Sequence, residues 1–362
     1  MFMLTLLIFL VNMVLDKRFL KNELISKPAV FWGLWVLYSA INLQIQGYHG
    51  YHDDLPFSFF FVLHLFRPFL VMTIVAKETR RNPVNVFKLF TIVFTVFAIL
   101  SVTILGAESE RFEGRFTSKL GNAGPLNAIY IIFFASLLFV CKKLKWRTLV
   151  PLMIFAFAVI SMAATRKAFG TAVIIAFTFV LSQIKFSAKN IILALILSAG
   201  FYIGGNYALK NTALGERFEE GVEVGLEKNT TNIEALSFLG DRVRFYINGW
   251  ELFKKHPITG VGLRNYNHKV NDLNVLHTEY MVQLAECGII GTTLFLLFYL
   301  WLGKNIVNAW KKNINKNRSV LWILVGGFCA VLFINFTAWT YQFTQYFAAF
   351  GVMIGYLKNN SK

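Results

Sequence analysis

A histidine just before an apolar segment is the side chain best suited to move a proton. His277 lies in the run 276–280, and the pKa range of imidazole suits a general base that deprotonates a hydroxyl. Glu279 and Glu286 follow closely in sequence and could orient the ring. A lone loop histidine is also commonly a plain surface residue, and His268 is a competing imidazole. Residue type and spacing alone therefore leave the role of His277 open.

Two arginines stand at the start of a predicted amphipathic helix in the same part of the chain. Apolar residues recur at three- and four-residue spacing between Asp241 and His256, followed by Pro257 and a glycine-bearing turn to Gly262. The predicted apolar stripe consists of Val243, Tyr246, Ile247, Trp250 and Phe253. Arg242 lies in the first turn, where free backbone N–H groups favour an anion. A helix at the membrane interface, with Arg242 and Arg244 facing lipid headgroups, fits the spacing equally well.

Two further arginines lie in or between apolar segments. Arg166 occupies a short link between two of them, where its planar guanidinium could bind a pyrophosphate or simply snorkel to the interface. Arg67 lies inside an apolar segment, and such ionisable residues face a cavity or a partner. We interpret Arg67 as structural.

The elements that must position these residues are membrane helices. Hydrophobic residues make up 56% of the 362, charged residues 15%, and the mean hydropathy is +0.55. The apolar blocks are long enough to cross a hydrocarbon core of roughly 30 Å. This pattern predicts an all-α polytopic membrane protein with about eleven transmembrane helices in a single membrane domain, 1–362. The predicted segments are 1–15, 28–46, 57–76, 84–105, 126–141, 148–164, 168–184, 191–206, 282–303, 319–338 and 341–357.

The distribution of charge predicts how the chain crosses the membrane. The net charge is +17, and 20 basic residues fall on alternate connections, which the positive-inside rule places in the cytoplasm. The N-terminus is then outside and the C-terminus inside, with 1–15 interpreted as a retained span. Because the basic residues are scattered, we do not expect a nucleic-acid partner. The three scattered cysteines predict neither a disulfide framework nor a metal site.

One long connection, 207–281, is expected on the outer side. It holds nine basic and ten acidic residues, so it is nearly neutral. Connections of this length are usually functional. We therefore expect 207–281 to be a helical extracytoplasmic loop that carries the active site.

Several motifs in this region occur in a recognisable order. They are Arg242 followed by Tyr246, the runs 255–262 (KHPITGVG), 277–281 (HTEYM) and 284–291 (LAECGIIG), and, more weakly, 114–122 (GRFTSKLGN) and 165–168 (TRKA). In this order and with this sidedness, the chain resembles the O-antigen ligase and polymerase superfamily over about residues 105–300. That family often has Trp at the position of Tyr246 and Asn at that of Thr278.

The resemblance implies a GT-C-like fold and a glycosyltransferase of the bacterial inner membrane whose active site faces the periplasm. Its donor would be a glycan on undecaprenyl pyrophosphate, and its acceptor lipid A-core or a lipid-linked glycan, in an inverting reaction without a metal or other cofactor. By position, Arg166 and Arg242 would hold the pyrophosphate, and His277 would position or deprotonate the acceptor hydroxyl. The residues then expected to bind substrate are Arg244, Arg264, Glu279 and Tyr246.

Three functions remain open at the level of sequence. A ligase would join a finished glycan to lipid A-core, as in lipopolysaccharide biosynthesis. A polymerase would join one lipid-linked repeat to another in polysaccharide biosynthesis. A transporter or channel is the alternative from another class. It predicts ionisable residues or Gly/Pro breaks in paired central spans, with symmetry between the halves of the chain, which the sequence does not display.

Overall fold

Every regular element in the described part of the chain is helical. A computed structural model describes residues 2–16, 19, 26–49, 56–103, 123–162, 166–183, 242–270, 276, 278–313, 318–338, 340–341 and 343–359. The elements are α1 (Phe2–Leu15), α2 (Lys27–Gln46), α3 (Phe57–Phe60), a π-helix π1 (Phe61–Phe66), α4 (Arg67–Arg81), α5 (Pro83–Thr103), α6 (Ala123–Val140), α7 (Trp146–Met162), α8 (Arg166–Gln183), α9 (Arg242–Lys255), α10 (Tyr266–Val270), α11 (Glu279–Asn313), α12 (Arg318–Asn335) and α13 (Thr344–Asn359).

The predicted apolar segments and the helices agree closely. Helices cover the predicted segments, with α11 extending ten residues past the predicted end at 303, except 191–206, which lies outside the described residues. The prediction of a helical protein is confirmed. The loop predicted at 207–281 is described only over 242–270, 276 and 278–281. That loop and the number of membrane crossings stay predictions.

Four described helices are long and apolar enough to cross a membrane. They are α2, α5, α11 over Glu279–Lys312, and α12. Shorter apolar helices accompany them, at Thr5–Val14, Asn127–Val140, Trp146–Ser161 and Lys167–Gln183. Length and composition therefore indicate a protein embedded in a membrane.

The chain divides into two compact units. The first comprises Met1–Pro83, Asp241–Ala309 and Phe333–Lys362, and the second comprises Val84–Gly240 and Trp310–Leu332. The motif residues between 242 and 291 therefore all belong to the first unit.

In the first unit, α2 has an apolar outer face and an aromatic inner face. The exposed stripe on α2 consists of Val30, Leu34, Leu37, Ile41 and Ile45. Their three- and four-residue spacing is that of one helix face, and a face this apolar suits contact with lipid. On the inner side the Trp32 ring lies 4.6 Å from Trp35, 4.7 Å from Phe347 and 5.4 Å from Phe298. These rings join α2 to α11 and α13.

Two glycines allow α13 and α4 to approach closely. A Cβ atom at Gly351 would meet the carbonyl oxygen of Met72 at 2.7 Å, and one at Gly355 would meet the carbonyl oxygen of Ala76. Small residues four apart permit this backbone approach between membrane helices. The α4–α13 pair thus forms a tightly packed part of the first unit.

The second unit is organised around α6. Every described side chain of α6 from Asn127 to Leu138 is buried, as expected for a helix that is apolar all round. The Phe134 ring stacks 4.9 Å from Phe90 of α5. At α12, Gly326 lies directly against Thr178 of α8, so this pair of helices also packs through a small residue.

Candidate functional site

The amphipathic helix predicted between Asp241 and His256 is confirmed. Helix α9 runs from Arg242 to Lys255 and ends where the N–H of His256 donates to the carbonyl of Leu252 at 3.0 Å. Pro257 follows at once, and proline cannot continue a helix. The sequence therefore accounts for the C-terminal end of this helix.

The buried face of α9 differs from the predicted stripe. Phe245, Gly249 and Leu252 are buried, whereas Ile247 and Trp250 of the predicted stripe are exposed. The apolar residues of α9 are spread over more of its circumference than the described part of the protein covers. Spacing alone identifies the arc but not the part that faces the protein.

Gly249 brings α9 against the residues that flank His277. A Cβ atom at Gly249 would lie 3.3 Å from Cδ2 of Leu276 and 3.4 Å from Cγ of Met281. A second contact holds the same helix, since the hydroxyl of Tyr246 donates to the carbonyl of Phe336 at 3.0 Å. Helix α9 is thus positioned against the start of α11.

The motif runs 255–262 and 284–291 form one interlocked structure. Four backbone hydrogen bonds connect them, from the N–H of Val261 to Ala285 O (3.2 Å), Gly262 to Glu286 O (2.8 Å), Ile289 to Pro257 O (2.8 Å) and Ile290 to Ile258 O (3.3 Å). Each run therefore provides hydrogen-bond partners for backbone groups of the other, and buried backbone groups need such partners.

This interlock needs a break in α11. Gly288 has φ 62° and ψ −168°, a conformation that side chains with a Cβ rarely adopt. Gly260 and Gly262 opposite it also have positive φ, at 69° and 89°. The sequence predicted a continuous span at 282–303, and the structure instead interrupts the helix where the turn docks.

Helix α2 forms hydrogen bonds with both of these motif runs, 255–262 and 284–291. The hydroxyl of Tyr38 lies 3.2 Å from the carbonyl of Thr259 and 2.9 Å from that of Cys287. The amide of Asn42 donates to the same Thr259 carbonyl at 2.8 Å. One polar pair on α2 thus holds the turn and the helix break together.

The side chain of Glu286 points towards the turn at residues 264–266, which follows the run 255–262. Its buried carboxylate accepts the backbone N–H of Arg264 at 2.8 Å and that of Tyr266 at 3.3 Å. Such charge-assisted bonds are stronger than neutral ones. They hold Arg264 in its unusual backbone conformation, φ 63°. Glu286 is therefore positioned to support this turn and not to meet solvent.

The side chain of Arg264 is buried to 5% exposure. Its guanidinium carbon lies 5.3 Å from the centre of the Phe60 ring, within the range of a cation–π interaction. Phe60 in turn stacks on Tyr48 at 5.6 Å. An arginine on aromatic faces keeps a planar fork of donors, which suits phosphate groups.

Asn265 connects the turn after the run 255–262 to the residues that follow α2, and two histidines stack beside it. Asn265 donates to the carbonyls of Gly47 (2.6 Å) and Val261 (2.9 Å) and accepts the N–H of His49 (3.0 Å). The ring of His49 stacks 3.8 Å from that of His268. Desolvation lowers the pKa of His49, and the neighbouring His268 and Lys269 lower it further.

A second buried polar chain lies at the start of α11. Trp35 Nε1 donates to Gln283 at 2.8 Å, and Gln283 donates to Glu279 at 2.7 Å. The same Glu279 carboxylate accepts the backbone N–H of Thr340 and, at 3.1 Å, that of Tyr341. Glu279 thus joins α2, α11 and the segment before α13.

The residues predicted from motifs fall into two groups. Arg264, Glu279 and Tyr246 are described, and all three lie in the first unit with the contacts given above. His277 lies outside the described residues, and so do the side chains of three arginines at the starts of helices. Those arginines are Arg166 at the start of α8, and Arg242 and Arg244 at the start of α9. The roles predicted for all seven stay predictions.

Sequence reasoning missed the residues that hold the motifs in place. Tyr38, Asn42, Gln283 and Asn265 carried no local signal, because each acts through a contact far away in sequence. Polar residues inside an apolar segment are the only hint, since they need partners in a membrane. Asn42 and Gln283 satisfy that description.

No protein-family model matches the chain, and no curated protein matches it in sequence. The resemblance therefore rests on the ordered motifs alone. Function must be argued from those motifs and from the geometry of the first unit.

Proposed function

We propose that this protein is a membrane glycosyltransferase that transfers a glycan from undecaprenyl pyrophosphate to an acceptor hydroxyl. The proposal places it in the O-antigen ligase or polymerase type of surface polysaccharide assembly. It crosses the bacterial inner membrane eleven times, with the N-terminus and the loop 207–281 on the periplasmic side.

The observation that carries the proposal is the packing of α9 against the residues on either side of His277. Gly249 lies against Leu276 and Met281, and both Leu276 and Thr278 are buried. The helix that begins with Arg242 and the segment that contains His277 therefore belong to one packed structure. An anion-binding residue and a proton acceptor on adjoining elements suit transfer from a pyrophosphate donor.

The proposed step is a single displacement. The acceptor oxygen attacks the anomeric carbon as the bond from that carbon to the pyrophosphate oxygen breaks, so the configuration inverts. The hydroxyl proton passes to His277, and undecaprenyl pyrophosphate leaves with the bonding electrons. Arg242 stabilises the charge that develops on the leaving group. For Arg166 the resemblance alone supports the same role.

We infer that Arg264 assists as a further cation. Its backbone is held by Glu286 and its guanidinium packs against Phe60, so little rotamer freedom remains to be lost when a phosphate binds. We assign substrate contacts to Arg264, Arg244, Tyr246 and Glu279. The carboxylate of Glu279 would contact the substrate while it also accepts the backbone N–H groups of Thr340 and Tyr341.

The alternative function, a polytopic transporter or channel, is favoured by two interruptions of helices. Helix α11 breaks at Gly288, and π1 interrupts the helix that leads to Arg67. Transporter sites are often built at such discontinuous helices. Flux of a solute into proteoliposomes without any glycan transfer would support that function.

A transfer assay tests the proposal. Purified protein receives undecaprenyl-pyrophosphate-linked glycan and EDTA, with lipid A-core or a second lipid-linked repeat offered in separate reactions. We expect product on one acceptor, loss of product in His277→Ala, and retention in His256→Ala, a histidine at the exposed end of α9. Folded protein that forms no product on either acceptor would contradict the proposal.

A further inference from the structure

The end of α12 is bonded to both elements on which the proposed mechanism depends. Two consecutive backbone carbonyls accept hydroxyl groups there. The carbonyl of Asn335 accepts the hydroxyl of Thr278 at 3.3 Å, and the carbonyl of Phe336 accepts that of Tyr246 at 3.0 Å. Thr278 directly follows His277 in the chain, while Tyr246 lies on α9. Neighbouring atoms of one short segment therefore hold both elements.

A ring contact adds to the same link. The ring of Tyr280 lies 4.7 Å from that of Phe336, edge to face, which is a preferred arrangement of aromatic pairs. Phe336 is thus held to α9 through its carbonyl and to the first turn of α11 through its ring. Movement of α9 relative to the start of α11 would have to break one of these contacts or displace Phe336 itself.

Glu279 holds the other end of this segment in place. Its buried carboxylate accepts the backbone N–H groups of Thr340 and, at 3.1 Å, of Tyr341, and hydrogen bonds to an ionised acceptor are stronger than neutral ones. The hydroxyl of Thr340 donates to Oδ1 of Asn335 at 2.7 Å, so the two ends are also joined to each other. A segment fixed in this way can define the positions of the elements bonded to it.

We propose that Asn335 and Phe336 position His277 relative to α9, with Thr278 as the residue through which they act on His277. The inference rests on the proposed function, in which the proton acceptor and the cation at the leaving group belong to these two elements. A displacement of about 1 Å between reacting groups can cost on the order of 100-fold in rate. Because the hydroxyls of Thr278 and Tyr246 hold the two elements to one segment, loss of either removes what the other contributes.

A double-mutant cycle on the transfer rate tests this shared role. Thr278→Val removes one hydroxyl at nearly constant volume, and Tyr246→Phe removes the other. The kcat and the KM for undecaprenyl-pyrophosphate-linked glycan are measured for purified, folded wild type, both single variants and the double variant. Thr293→Val is the matched control, since it is the same substitution on the same helix, where the exposed hydroxyl bonds only to the carbonyl of Ile289 one turn earlier.

We expect Thr278→Val to lower kcat by roughly 10-fold with the KM for the donor unchanged. Thr278→Ser, which keeps the hydroxyl, should restore most of the rate, and Thr293→Val should transfer at the wild-type rate. In the Tyr246→Phe background, Thr278→Val should lower kcat by less than about 2-fold, because the link is already broken. An equal factor in both backgrounds would show that Thr278 acts independently of Tyr246, which overturns the proposal.

A second variant keeps the test decisive if Thr278→Val does not fold. Tyr280→Leu removes the ring contact with Phe336 on the same side of the link and is taken through the same cycle, with the same expected pattern. Wild type that forms no product would contradict the proposed function and this inference with it. Wild type that transfers, together with equal factors in both backgrounds, would contradict this inference alone.

Discussion

A side chain at Gly260 or at Gly288 would collide with the backbone of the opposite motif run. A Cβ atom at Gly260 would meet the carbonyl of Glu286 and, at 2.6 Å, the nitrogen of Cys287. A Cβ atom at Gly288 would meet the carbonyl of Ile258 and, at 2.6 Å, the nitrogen of Gly260. Because both residues also have positive φ, the two motif runs can dock only if both positions are glycine.

Gly288→Ala is therefore expected to destabilise the fold by about 3 kcal/mol, from backbone strain and overpacking together. Thermal unfolding of the detergent-solubilised protein, followed by intrinsic fluorescence, measures this. Gly33→Ala on α2 is the matched control, since its Cβ would make an ordinary contact with Phe69 at 3.9 Å, and alanine favours a helix. Equal midpoints for the two variants would contradict the interlock.

Glu286 is expected to act as a buried support for the turn at Arg264. Glu286→Ala leaves the N–H groups of Arg264 and Tyr266 without this acceptor, which should cost about 3 kcal/mol. Glu251→Ala is the control, because its ion pair with Lys254 is exposed and should cost less than about 1 kcal/mol. Chemical denaturation of both variants checks the difference, and a similar small loss for each would count against this role.

Tyr38 and Asn42 share one acceptor, so their contributions should not add. Tyr38→Phe and Asn42→Ala each leave the Thr259 carbonyl with one donor and should cost about 1 kcal/mol. The double variant removes both of these donors from the Thr259 carbonyl. Its loss of unfolding free energy should exceed the sum of the two single losses by roughly 1 kcal/mol. A double-mutant cycle on unfolding free energies measures the excess. Strict additivity would show that the two contacts are independent.

His49 should make stability depend on pH. The pKa of His49 in the fold lies below its ordinary value of 6.5, so the unfolded chain binds a proton more readily. Stability then falls as the pH drops through about 6.5 and is retained above it. His49→Gln should remove this component from the difference in unfolding temperature between pH 8 and pH 5. An unchanged difference in that variant would contradict the assignment.

Local structure near the site could be predicted from the sequence. The spacing of apolar residues and the pair His256-Pro257 predicted the extent of α9, and the glycines at 260 and 262 predicted a turn. These signals lie in neighbouring residues, so they can be recognised without knowledge of the tertiary fold.

Contacts between distant residues could not be predicted in the same way. Trp35 and Gln283 are 248 residues apart, and no periodicity pairs two such positions. The break at Gly288 was also missed, because a single glycine within an apolar run is compatible with a continuous helix. Its positive φ follows only from the turn that docks against it.

The rate of glycan transfer in Arg242→Ala tests the central claim most directly. Wild type, Arg242→Ala and Lys255→Ala are compared at equal membrane abundance with the same donor and acceptor. Lys255 is an exposed cation at the other end of the same helix. Loss of the charge at the leaving group should lower the rate by about 100-fold or more, while Lys255→Ala should transfer at the wild-type rate. Arg242→Ala that transfers as fast as wild type would contradict the proposed mechanism.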